Sequence, residues 1–162
     1  MLKPVLSKSA RADGASFAIV ASRYNGRYVE AMLRAARAEL KRAGARRVEV
    51  FRVPGAYEIP VVVSRLARTG SRRASRFSAI ICLGVILRGE TVHAAHIGEA
   101  VSRALMELQL RYEAPIVHEV LLLENEQQAR ARCLTRTHNR GAEAAQTALA
   151  MAAVMNQLDA SV

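Results

Sequence analysis

LGVILRGETVH, residues 83–93, is an apolar run that breaks abruptly into arginine, glycine, glutamate and threonine before a histidine. Its first half, Leu83 to Leu87, is short, rich in β-branched residues and without alternation, which predicts a strand buried on both faces. Strands of that kind belong to parallel sheets, where helical crossovers cover both sides. The second half predicts a turn into a helix. Gly89 lets backbone come close, Thr91 offers a hydroxyl, and first-turn amides without helical partners suit an anion. His93 falls in that first turn, beside whatever the amides hold.

Outward from this segment, strand and helix patterns alternate. Ser16 to Ala21 predicts a first strand. Val29, Met32, Leu33, Ala36, Leu40 and Ala43 recur at helical spacing, with Gly44 as a stop. Val48 to Val53 predicts a second strand. Tyr57 to Ala67 predicts a helix with Pro60 in its first turn, where a missing N–H costs nothing. Phe77 to Leu87 holds the third strand, and Ile97, Val101, Ala104, Leu105 and Leu108 mark the next helix. Ile116 to Leu123 follows Pro115 as the fourth strand, before a short helix from Asn125 and an alanine-rich one from Gly141 to Leu158. Such β–α units demand a parallel sheet with helices on both faces. Residues 1–14 are polar and aperiodic, which reads as an N-terminal arm, and 15–162 read as one domain.

Composition limits the alternatives. A chain of 162 residues with half of them apolar can form a real core. No apolar run approaches the ~20 residues of a membrane span, and no secretory leader is visible, which points to the cytoplasm. Cys82 and Cys133 form neither a disulfide framework nor a metal spacing. The net charge of +10 is concentrated in Lys41 to Arg47 and in Arg65, Arg68, Arg72, Arg73 and Arg76. Tyr and Phe are absent from residues 65–76, so this is a solvated basic surface before it is a base-stacking one. Nucleic acid is not the expected partner.

Ligands of an open parallel sheet bind outside the carboxyl ends of its strands. Three segments leave those ends: Ser22 to Gly26, Val53 to Pro60 and Arg88 to His93. Tyr24 offers a face to a planar ring, Asn25 and Glu58 offer hydrogen bonds, and Gly55 and Ala56 leave backbone unobstructed. Tyr57 suits the core as well as a site. His96, three residues after His93, invites a metal pair, but no third ligand of suitable spacing follows. Arg132, Arg136 and Arg140 recur every four residues, the mark of a solvated helix face.

SRYN (22–25), VPGAYEIP (53–60) and LGVILRGETVH (83–93), in this order and with HNRGAEAA (138–145) near the end, closely resemble the lumazine synthase family. The resemblance runs from about Phe17 to Leu158. It implies a three-layer, flavodoxin-like α/β fold with a four-stranded parallel sheet. It also implies a transferase of riboflavin biosynthesis that uses no cofactor and no metal. Such an enzyme condenses 5-amino-6-(D-ribitylamino)uracil with 3,4-dihydroxy-2-butanone 4-phosphate, giving 6,7-dimethyl-8-ribityllumazine, phosphate and water. By resemblance, Tyr24 stacks on the pyrimidine, and Asn25, Gly55, Ala56, Tyr57, Glu58 and Leu87 help hold the ribitylaminouracil. Gly89, Glu90, Thr91 and Arg132 match phosphate-binding positions, and His93 matches the proton-transfer histidine. His118 matches a position that reaches the neighbouring subunit's site.

The resemblance further implies a homopentamer with sites between neighbours, alone, as a decamer or as a sixty-subunit icosahedral shell, with riboflavin synthase as a functional partner. The stretch Cys133 to Gly141 has no insertion of the kind that blocks shells, and Ala100 and Ala104 permit close helix contacts. Departures from the family pattern cluster in one region. Ala94 and Ala95 stand where an aromatic residue is common, His118 where phenylalanine is, Glu119 where a small residue is, and Leu122 and Leu123 where threonines are. A non-catalytic flavin- or lumazine-binding paralogue is the alternative.

Overall fold

A computed structural model describes residues 11–70, 77–135 and 137–161. Arg72, Arg73, Arg76 and Arg136, and the first ten residues of the expected arm, lie outside these.

Among the described residues the sheet has four parallel strands in the order β2-β1-β3-β4: β1 Ser16–Ser22, β2 Arg47–Val53, β3 Ala79–Leu87 and β4 Ile116–Leu123. All seven residues of β1 are buried, because β1 is central and covered on both faces. Helices α1 (Gly26–Arg42), α4 (Glu126–Cys133) and α5 (Arg140–Asp159) cover one face, packing Met32, Leu40 and Leu149 onto Phe17, Ile19, Ile81 and Leu83. On the other face, α2 (Ile59–Gly70) and α3 (His93–Tyr112) pack Ile59, Val63 and Leu105 onto Val20, Ile80 and Cys82. This is the three-layer α/β arrangement expected, flavodoxin-like in topology.

Local differences have local causes. Phe77 and Ser78 precede β3 instead of opening it: the Ser78 amide donates to Ser16 O at 2.7 Å, while the Phe77 ring stands edge-on to Phe51 at 6.5 Å. Ala56–Glu58 form a 3₁₀ turn before α2, so Pro60 is the second α-helical residue and its missing N–H is one the helix could not use. Before β1, Ala12 is buried in the core and its amide donates to Ala43 O, tying the last residues of the expected arm to the end of α1.

Arg132 and Arg140 do not share a solvated helix face. α4 ends at Cys133, and α5 begins anew at Arg140. Asn139 makes the junction, its Oδ1 accepting from the Gly141 amide at 2.9 Å and its Nδ2 donating to Cys133 O at 2.5 Å. Gly141 then lets α5 lie directly on α1, since a Cβ there would collide with the backbone of Met32. No helix among the described residues is long and apolar enough to cross a membrane.

Candidate active site

The chain leaves β1 toward β2 on one side and later returns to β3 on the other, so the crevice of this sheet opens between the carboxyl ends of β1 and β3. Asn25 bridges it. Its backbone is left-handed (φ 53°), a conformation that asparagine tolerates, and its side-chain Nδ2 donates to Val85 O at 2.8 Å. One N–H of the amide that the sequence suggests for a ligand thus holds the β1–α1 turn against β3, and Asn25 still lines the hollow that opens here. Its carbonyl accepts from Tyr28 and Val29, which starts α1.

The second wall is a close-fitted trio. Gly55 has an extended backbone, and its amide donates to Glu58 Oε2 at 2.8 Å. A Cβ on Gly55 would stand 2.9 Å from that oxygen and 3.1 Å from the Tyr24 ring. Glycine is thus needed for space, so that the aromatic ring and the carboxylate can close over one backbone segment. Tyr24 and Tyr57 remain 71% and 64% exposed, which settles Tyr57 as a rim residue and not a core one.

α3 supplies the third wall. It begins at His93, as expected, with the His93 amide near Thr91 Oγ1 at 3.4 Å. One hollow of about 850 Å³ results. Tyr24, Asn25, Gly55 and Ala56 line it from the β1 and β2 ends, with Tyr57 and Glu58 beside them. Leu87 and His93 close the β3 side. Val85, Ile86, Ile97 and Ala100 also line it, as does His96, which the sequence offers only as half of a metal pair. The available signal was helical spacing, because positions 93, 96, 97 and 100 share one face of α3.

Three other segments stand outside that wall. Gly89, Glu90 and Thr91 form the exposed loop between β3 and α3. A Cβ on Gly89 would meet open space, so packing within this chain does not demand glycine there. Arg88 is anchored to Glu124 at 2.9 Å. Arg132 is exposed in the last turn of α4. His118 lies on the edge strand β4 against α3, its Nε2 2.9 Å from Ser102 Oγ. Partial burial of that ring holds its pKa below the ordinary histidine value, against the opposing effect of a backbone hydrogen bond.

Glu119, the next residue along β4, points to the opposite face and is 4% exposed. Its Oε1 accepts from Arg140 Nε at 2.6 Å, and Arg140 spans onward to Glu143, also at 2.6 Å. Burial raises the Glu119 pKa in spite of the Arg140 charge beside it. The neighbouring Cys133 thiol is pushed up to about 11 by its own burial. Both cysteines are free and buried. Among the described residues, no three His, Cys, Asp or Glu side chains gather as a metal set.

The profile of the 6,7-dimethyl-8-ribityllumazine synthase family matches residues 14–156. The chain belongs to that family. A Stenotrophomonas maltophilia (strain R551-3) protein of that name is 37% identical over 148 residues, covering 90% of this chain and 92% of the relative. A Xanthomonas oryzae pv. oryzae (strain PXO99A) protein of the same name is 37% identical over 150 residues, covering 91% and 94%. The match spans all three segments that form the hollow.

Proposed function

We propose that this chain catalyses the formation of 6,7-dimethyl-8-ribityllumazine from 5-amino-6-(D-ribitylamino)uracil and 3,4-dihydroxy-2-butanone 4-phosphate. The observation that carries this reading is the single hollow shared by Tyr24, Glu58 and His93. Tyr24 presents a ring face to the pyrimidine. Glu58, with Oε2 fixed by the Gly55 amide, offers Oε1 to a ribityl hydroxyl. Asn25, Gly55, Ala56, Tyr57 and Leu87 complete the pyrimidine side, and His93 gives and takes protons, as an imidazole can near neutral pH.

The amine attacks the ketone to form an imine, phosphate leaves, and the second amine closes the ring. Both reactants are already reactive, so holding them in register supplies most of the acceleration, with effective molarities of ~10⁵ M or more. Gly89, Glu90 and Thr91 hold the phosphate through backbone and hydroxyl groups, and Arg132 adds a guanidinium fork. Arg132 and His118 act from a neighbouring copy, in a homopentamer that stands alone or builds a decamer or an icosahedral shell. One domain over 15–162 does this in the cytoplasm, and riboflavin synthase consumes the product.

Mixing the purified protein with both substrates tests the reading: lumazine fluorescence should appear at a rate proportional to protein concentration. Binding of lumazine without turnover would instead identify a non-catalytic paralogue.

A further inference from the structure

α3 brings a second imidazole to the hollow that the reaction as described does not use. His96 follows His93 by one turn, and both line the same cavity as Tyr24, Tyr57 and Glu58. Three residues of α-helix advance about 4.5 Å. That is about three bond lengths, a separation that two imidazole side chains close by converging on neighbouring atoms of one bound molecule. His96 is held there by the helix itself, its amide donating to Val92 O at 3.2 Å. Its other side borders a shallow groove with Glu99, Arg103 and Glu107 on the same helix. Glu99 is engaged by Arg103 at 3.2 Å, which leaves it ion-paired beside the imidazole. Across the hollow, the titratable groups that face His96 are Tyr24, Tyr57 and Glu58.

We propose that His96 is a second proton-transfer residue of this site, working as a pair with His93; this rests on the function proposed above. Imine formation shows why two rings serve better than one. As the amine nitrogen bonds to the ketone carbon, the C=O π pair moves to oxygen. The nitrogen must lose a proton while the oxygen gains one. A second proton then passes from nitrogen to oxygen, the C–O bond breaks with its electron pair, water leaves, and the nitrogen lone pair completes C=N. Two protons thus travel from N to O. A neutral ring that accepts and a protonated ring that donates exchange roles in the first transfer. The proton then passes through solvent from the ring at nitrogen to the ring at oxygen, which resets the pair for the second transfer. A single ring would have to swing between the two atoms.

The experiment measures kcat against pH by lumazine fluorescence for the full-length protein and for His93→Gln, His96→Gln and the double variant. The pair predicts that His93→Gln, slower by about 10²-fold, keeps an acidic limb with an imidazole-like midpoint. The double variant should lose that limb and fall at least another tenfold, and added imidazole should restore part of the His96→Gln loss. A flat acidic side in His93→Gln, a limb that persists in the double variant, or His96→Gln turning over at the wild-type rate would overturn the proposal. Wild-type protein that makes no lumazine would sink the underlying function instead.

Discussion

Gly55→Ala separates the site from the fold more cleanly than removal of any functional side chain. At φ −127° and ψ 178° the backbone of Gly55 is one that alanine adopts freely, so the substitution acts through space alone. The new methyl would stand 2.9 Å from Glu58 Oε2 and 3.1 Å from the Tyr24 ring, against the ~3.5–4.0 Å of a comfortable carbon contact. Both side chains must retreat by several tenths of an ångström or more. Glu58 then loosens its 2.8 Å bond to the Gly55 amide. A hydrogen bond to a charged group contributes about 1.5–3 kcal/mol. Glu58 is exposed, so water recovers much of that and about 1 kcal/mol of folding stability is lost. For a chain of this size that lowers Tm by roughly 2–4 °C.

Catalysis has no such relief. A 1 Å misplacement of a positioning group can cost about 10²-fold. The expected signature is a fall of one to two orders of magnitude in kcat/KM for the pyrimidine with only a slight drop in Tm. Progress curves of lumazine fluorescence at varied pyrimidine, beside a thermal melt, read both quantities. If kcat/KM stays within threefold of wild type, Tyr24 and Glu58 do not hold the substrate as a fitted pair.

Three further outcomes follow from the same geometry. Gly141→Ala drives a methyl into the Met32 backbone, and overpacking of about 1–3 kcal/mol should outweigh the ~1 kcal/mol that alanine gains in a helix; a variant melting at or above wild type would contradict the close α1–α5 approach. Arg132→Ala should raise KM for the phosphate-bearing substrate roughly ten- to hundredfold, the equivalent of one charge-assisted hydrogen bond, and an unmoved KM removes Arg132 from the site. His118 has its folded pKa held below the ordinary 6.5, so the native chain binds fewer protons than the unfolded one, and stability is lost as pH falls below 6.5. His118→Gln should flatten that slope in melts taken across the window, whereas parallel slopes would show that the ring carries none of it.

The sheet and the rim of the site were legible because both follow from one-dimensional patterns. Buried strands read as apolar runs, and a parallel sheet sends its loops to a common edge, so Tyr24, Glu58 and His93 could be brought together from their positions after strands. What side chains do with each other was not legible. Asn25 looked like a free amide and is tied to Val85 O, since nothing in SRYN reveals a partner sixty positions away. Arg132 and Arg140 kept helical spacing across a break, because a loop of six residues between two helices can preserve the period by chance. Glu119 registered only as a departure from small residues, while its ion pair with Arg140 depends on how α5 lies over β4. Spacing alone offers His96 as a metal ligand and cannot tell a ligand pair from two side chains sharing a cavity wall.

The edge position of β4 has a consequence for how many chains make one site. The hollow is built from the ends of β1, β2 and β3 and from α3, whereas Arg132 follows β4 and His118 lies within it, facing Ser102 on α3. Bringing His118 into its own hollow would mean breaking β4 from β3, which pairs along Ile80 to Leu87. Arg132 is held on α4, which packs Ala129 and Cys133 on the face of the sheet opposite α3. If Arg132 serves the reaction, it serves it in another copy. Subunit mixing decides the matter. Unfolding His93→Gln and Arg132→Ala chains together and refolding them yields random neighbours in the proposed ring of heterologous contacts. About one interface in four then joins an intact His93 to an intact Arg132. With the phosphate-bearing substrate kept well below its KM, activity of the mixture should recover to about a quarter of wild type, far above either parent. Were both residues to act within the same chain, no intact site could form by mixing, and the refolded mixture would show only the average of the two parents.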